Sequence, residues 1–139
     1  MKLRTTIAVV AIVGVGIAAY LTYVHYANVA PICVNGGCEK VQHSSYATIA
    51  GIPVAVLGLV GWTLLLATAA FRGATVALAG GAIALVALVF SGYLLWAQLG
   101  PIGAICQWCV GNDVAVTVVA GLCLVRVLSE PAHVPEKRA

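Results

Sequence analysis

The sequence predicts an all-α, polytopic membrane protein, a bundle of four transmembrane helices with one external loop that carries a short helix. Three observations lead there. Of 139 residues, 63% are hydrophobic and 8% charged, with a mean hydropathy of +1.08, whereas a soluble domain of this size carries roughly 25% charged residues. Four apolar runs, three without a charged residue and the fourth with only Asp113 and Arg126, are each long enough, at about 1.5 Å per helical residue, to cross a hydrocarbon core of about 30 Å. The few basic residues sit at one set of run ends. This composition excludes a disordered chain and an ordinary cytosolic enzyme. It also excludes a nucleic-acid module, because seven scattered Lys and Arg form no patch that could follow a phosphate backbone. The spans and their loops use almost the whole chain, so a single domain over residues 1–128 is expected, with a disordered cytoplasmic tail at 129–139 containing Pro131 and Pro135.

The first span is expected at residues 5–26, behind Lys2 and Arg4, with Tyr20, Tyr23 and Tyr26 as an interfacial aromatic belt near its outer end. A cleaved signal peptide is the alternative for this run, but the run exceeds a signal core of about 7–15 residues and no clean small-x-small site follows. Residues 27–52 form an external loop of a length that is usually functional or disordered. The stretch Cys38–Ala47 is expected to make a short helix on the membrane face. The second span is placed at 53–71 and, after the turn at Arg72-Gly73, the third at 75–98. Forty uncharged residues lie between Arg72 and Asp113, too many for one span, so Gly100-Pro101-Ile102-Gly103 is read as the break before a fourth span at 106–127. An N-terminus in the cytoplasm puts six of seven basic residues inside and only Lys40 outside. Both termini are thus expected on the cytoplasmic side of the inner membrane, and the long loop on the periplasmic side.

Four of the five cysteines then fall on the outer, oxidising side, where disulfides persist. Cys33 and Cys38 lie in the loop, Cys106 and Cys109 at the mouth of the fourth span. Two such pairs can exchange through thiolate attack and a mixed disulfide. In Cys106-Gln107-Trp108-Cys109, the two thiols share one helix face, and free N–H groups with the macrodipole stabilise a thiolate there. A structural disulfide or a metal clamp is the plainer alternative for this pair, and a loop staple for Cys33 and Cys38. Cys123 lies deep and reads as a small buried hydrophobe. Asn112 and Asp113 follow one turn deeper than Cys109. An ionisable residue within a span marks a pathway or site, so Asp113 is a candidate to pass protons and Asn112 to donate to a carbonyl oxygen; capping of the helix dipole is the alternative for Asp113. Ser91, Tyr93, Trp96 and Gln98 line the same cavity or pack at the interface. His25 and His43 lack thiols or carboxylates at ligand spacing, so no metal site is expected.

The loop Cys pair, Ser44 with Ser45 beside it, Gly51-Ile52-Pro53 at the start of the second span, and Ser91-Gly92-Tyr93-Leu94 leading into Cys106-Gln107-Trp108-Cys109 together resemble the bacterial homologues of vitamin K epoxide reductase, over roughly residues 15–115. The resemblance implies a four-helix bundle that holds a quinone at its outer face. It also implies that a thioredoxin-fold partner in the periplasm is oxidised and its electrons are passed to a membrane quinone, menaquinone or ubiquinone. By motif it assigns Cys33 and Cys38 as the shuttle pair, Cys38 as the residue that forms a mixed disulfide with Cys106, and Cys109 as the quinone-facing thiolate. It matches Ser44 to the family's polar loop residue. Asn112, Asp113 and Tyr93 become quinone-binding candidates, with Asp113 standing where vertebrate members carry a Tyr that bonds the quinone. Many bacterial relatives carry a fused thioredoxin-like domain; the expectation here is a separate DsbA-like partner. The other four-helix thiol:quinone oxidoreductases carry the CxxC in the first external loop, the reverse of this order. A small thiophilic-metal transporter, or a structural tetraspan protein with two disulfides, are the competing readings.

Overall fold

The computed structural model describes residues 2–34 and 36–130. Four long helices dominate: α1 (Lys2–Ala27), α3 (Val54–Ala70), α4 (Ala74–Ala97) and α5 (Gln107–Ser129), with the short α2 (Gly37–Gln42) in the loop after α1. The fold class is the one the sequence predicts. Three of the helices are long and apolar enough to span a membrane, and α3, with 17 residues, is a shorter apolar helix, at the lower end of spanning length. The expected tail lies outside the described residues from 131 onward; Ser129 still belongs to α5.

Helix α1 packs on α3 and α5, and α4 packs on the same two, so α1 and α4 stand diagonally across the bundle. The buried stripe of α1, Ile7, Ala11, Gly14, Ala18, Leu21 and Val24, repeats at helical spacing and is small in its centre, which allows close approach where lipid supplies no hydrophobic drive. The indole of Trp62, from α3, lies flat on Gly14: a Cβ there would come within 2.1 Å of the ring. The same indole N–H donates to Asn112 Oδ1 of α5 at 2.8 Å, so one side chain ties three helices.

At the opposite end from the long loop, α3 ends under two guanidinium groups. Arg4 donates to the carbonyls of Ala69 (3.0 Å) and Ala70 (2.7 Å), and Arg126 to those of Thr68 (2.7 Å) and Phe71 (2.8 Å). Four consecutive carbonyls without a helical partner are thereby satisfied. The sequence marks Arg126 only as a charge beyond the last span. It lies within α5, 2% exposed, with its Nε on Glu130 at 3.1 Å.

Two local expectations are corrected, and one element is added. The loop helix ends at Gln42 and a separate 3-10 turn covers Ser45–Ala47, because the Ser44 hydroxyl takes the Val41 carbonyl at 2.7 Å and competes with helix continuation. A two-residue antiparallel hairpin, β1 (Thr48–Ile49) with β2 (Ile52–Pro53), leads into α3; its turn residues Ala50 and Gly51 both have positive φ, 52° and 81°, as a type I′ turn requires. Pro101 does not break the third span. The helix widens into a π-turn over Gln98–Ile102, which accommodates the missing N–H and the ring, and the chain turns at Gly103, φ 62°.

Since the Trp62 ring is held by Asn112 and cannot swing away, Gly14→Val is expected to cost about 1–3 kcal/mol through overpacking. Gly16→Val, with nothing within 4 Å of its added Cβ, serves as the control in a thermal unfolding series in detergent. Equal midpoints for the two variants would refute the Trp62–Gly14 lock.

Candidate active site

Cys33, Cys38, Cys106 and Cys109 gather at the end away from Arg4 and Arg126, whereas Cys123 lies three residues before Arg126 in α5. Cys33 and Cys38 form a disulfide with a Cα–Cα distance of 6.0 Å. Cys106, Cys109 and Cys123 are free thiols. Cys38 is the second residue of α2 and Cys106 caps the N-terminus of α5; both are fully buried, in one cluster with Val41, Ala97 and Ile102, against which Cys33, Trp108 and Cys109 pack.

Glycine brings the two pairs together. A Cβ on Gly37 would lie 2.4 Å from the Ile105 carbonyl oxygen, so only glycine lets the loop settle on the chain just before α5. Gly37 precedes Cys38 and Ile105 precedes Cys106, so this seat sets the two thiol positions side by side. From α4, Gln98 is 2% exposed and accepts the Cys106 N–H at 2.9 Å through Oε1. Sequence analysis places Gln98 as cavity lining or interfacial packing; it both lines the cavity and fixes the start of α5. Cys106 Sγ accepts the Cys109 N–H at 3.4 Å, so the sulfur itself caps the helix.

Below this cluster lies a cavity of about 560 Å³. Most of its wall is apolar, from residues such as Leu57, Trp62, Val86 and Phe90 of α3 and α4, and its polar groups include Gln42, Ser44, Cys109, Asn112 and Asp113. Ser91 donates to Asp113 Oδ1, while Asp113 Oδ2 is buried without a partner. Asn112 presents its carbonyl oxygen to Trp62, which leaves its amide N–H groups as the donors it can offer a ligand. Gln42 Nε2 lies 4.0 Å from Cys109 Sγ.

Cys33, Cys38, Cys106, Cys109, Ser44, Asn112 and Asp113 thus meet around one cluster and one cavity. Tyr93 does not line that cavity. Phe90, Ser91, Leu94 and Gln98 of the α4 region do, and Tyr93 sits on the neighbouring helix face, stacked between Phe90 and Trp96, each at 6.1 Å. It approaches the site only through Tyr46, 6.1 Å away, which does line the cavity. Among the described residues no group of three or more His, Cys, Asp or Glu is placed to hold a metal ion. Trp62 was missed in the sequence, although a mid-span Trp carries an N–H that needs a partner.

The profile of the vitamin K epoxide reductase family matches residues 5–124, most of the chain. The protein therefore belongs to the vitamin K epoxide reductase family, and with it to the membrane-bound oxidoreductases.

Proposed function

We propose that the protein is a thiol:quinone oxidoreductase that oxidises a thioredoxin-fold, DsbA-like partner and delivers the electrons to a membrane quinone, supporting disulfide bond formation. The observation that carries this reading is the shared buried cluster: the loop disulfide Cys33–Cys38 and the free Cys106 meet there, and Cys109 faces the cavity beside them. Burial sets the order of exchange. Cys38 is 0% exposed and Cys33 only partly covered, so a partner thiolate attacks Cys33 Sγ and Cys38 leaves as the thiolate. Cys38 then attacks Cys106 of an oxidised Cys106–Cys109 pair, which frees Cys109 as the thiolate on the cavity side.

The cavity fits a quinone head group. Its volume is in the range of roughly 300–1,000 Å³ usual for small-molecule sites, and it joins a mostly apolar wall to a few polar groups. A bound menaquinone or ubiquinone supplies a sink for two electrons and two protons. Asn112 has amide donors for a carbonyl oxygen. Asp113, fixed by Ser91 through Oδ1, keeps Oδ2 free to hold and release a proton. Ser44 completes the polar rim below α2.

Cys106→Ala and Cys109→Ala are each expected to abolish quinone reduction. Cys33→Ala and Cys38→Ala should abolish oxidation of a folded dithiol protein and keep quinone reduction driven by dithiothreitol, which reaches α5 directly. Equal loss in all four with dithiothreitol would remove the loop pair from the relay, and Cys123→Ala should behave as the parent.

The Lys and Arg distribution supports an orientation with the cysteine cluster outside and both termini in the cytoplasm. After reduction, a membrane-impermeant maleimide added to intact cells should label Cys33, and labelling only in inverted vesicles would reverse the orientation.

Asp113→Asn is expected to slow quinone turnover by about 10- to 100-fold, the usual cost of losing a general acid, with Cys38–Cys106 exchange unaffected. If the carboxylate merely complements the helix dipole, the variant instead loses about 0.3–1 kcal/mol of stability at normal turnover. Turnover measured against pH in both proteins separates the two, and superimposable profiles would take Asp113 out of the chemistry.

A further inference from the structure

The two residues between Cys106 and Cys109 do not point into the cavity but reach across to the loop. Gln107 straddles Cys33: its Oε1 accepts the Val34 N–H at 3.0 Å and its Nε2 donates to the Ile32 carbonyl at 3.3 Å. Trp108 Nε1 donates to the same Ile32 carbonyl at 2.7 Å, and the Ile32 N–H is held by the Tyr20 hydroxyl at 3.0 Å. Tyr20 and Trp108 pack ring against ring, 4.8 Å between centroids. Four hydrogen bonds from three side chains therefore grip the backbone on both sides of a single cysteine.

What the grip opposes is visible in the side chains beside it. Ile32 is 76% and Val34 87% exposed, an unfavourable arrangement for two apolar residues, each worth roughly 1.5–3 kcal/mol on full burial. A segment free of these bonds is drawn toward the nearest apolar surface, which shifts Cys33 from the position it holds here. Pinned at Ile32 and Val34, the segment keeps the Cys33 sulfur within reach from outside.

We infer that Gln107, supported by Trp108, is a positioning residue for the first exchange, holding Cys33 where the thiolate of a folded dithiol protein can attack it. This rests on the proposed relay for its biological meaning, but the positioning itself does not. In the step concerned, the partner's thiolate bonds to Cys33 Sγ as the Cys33–Cys38 bond breaks and Cys38 leaves with the electron pair. The partner's second thiolate then displaces Cys33, so the partner ends as a disulfide and its two thiol protons pass to Cys33 and Cys38. The spacer of the CxxC motif thus serves the other cysteine pair.

The test compares large and small reagents on the full-length protein. With reduced thioredoxin as the electron donor, Gln107→Ala should slow opening of the Cys33–Cys38 disulfide by about tenfold or more, the scale of a misplaced reacting group. With dithiothreitol, which needs no docking, the rate should stay within about twofold. Gln107→Glu, which keeps the acceptor for Val34 and loses the donor to Ile32, should fall between. In the dithiothreitol-reduced proteins, Gln107→Ala should likewise slow labelling of Cys33 by a polymer-bearing maleimide, read by mass spectrometry, and leave labelling by iodoacetamide unchanged. The labelling arm stands whether or not the relay does. Equal slowing with both reagent sizes, or no slowing with either, would overturn the assignment; a parent disulfide that neither reductant opens would overturn the relay instead.

Discussion

A polar group inside a lipid-facing bundle that finds no partner costs several kcal/mol, because no water is at hand to replace it. The buried polar side chains of this molecule are arranged around that constraint. Trp62 turns its N–H to Asn112, Gln98 its carboxamide oxygen to the Cys106 N–H, and Arg4 and Arg126 their guanidinium groups to the exposed end of α3. Each of these pairings joins different helices, so satisfying the polar groups also fixes how the helices are rotated. Among the described residues, two buried side-chain oxygens remain without a partner, Glu130 Oε2 and Asp113 Oδ2. The second borders the cavity, where a ligand can satisfy it.

The end that carries the chemistry is built on a second constraint, close backbone approach. Gly37 against the Ile105 carbonyl lowers α2 onto the head of α5, and this contact places a loop cysteine beside a helix cysteine across about seventy residues of sequence. Gln107 and Trp108 then fasten the preceding segment. The loop is thereby attached at two places, one on each side of Gly36, whose φ of 69° suits glycine. In the proposed relay the Cys33–Cys38 disulfide opens and closes in each cycle, and such a seat would keep its two halves in place while the bond between them is gone.

The opposite end has no such demand and is closed. α3 is the shortest of the four long helices, and its last carbonyls would face the interface uncovered if Arg4 and Arg126 did not reach them. Arg126 is buried there with its charge partly met by Glu130, so an arginine that serves as a topology signal in the sequence also fastens α5 to the end of α3, as Arg4 fastens α1.

The sequence alone determined what depends on composition, length and local spacing. Long charge-free runs require spanning helices because a backbone in lipid must bond to itself, and the CxxC spacing puts Cys106 and Cys109 on one helix face because three residues are nearly one turn. The loop with its cysteine pair and the polar turn below Cys109 were legible for the same reason. The tertiary structure decided which of these parts meet. In a helix apolar on every side the pattern of residues does not say which face turns inward; Tyr93 was therefore placed with the site and lies beside it, while Trp62, the central tie, went unmarked. The junction of Cys38 with Cys106, the Ser91–Asp113 pair and the hold of Gln107 on the loop all link distant residues. Helix rotation and a glycine seat create those contacts, and neither leaves a periodic trace in the chain.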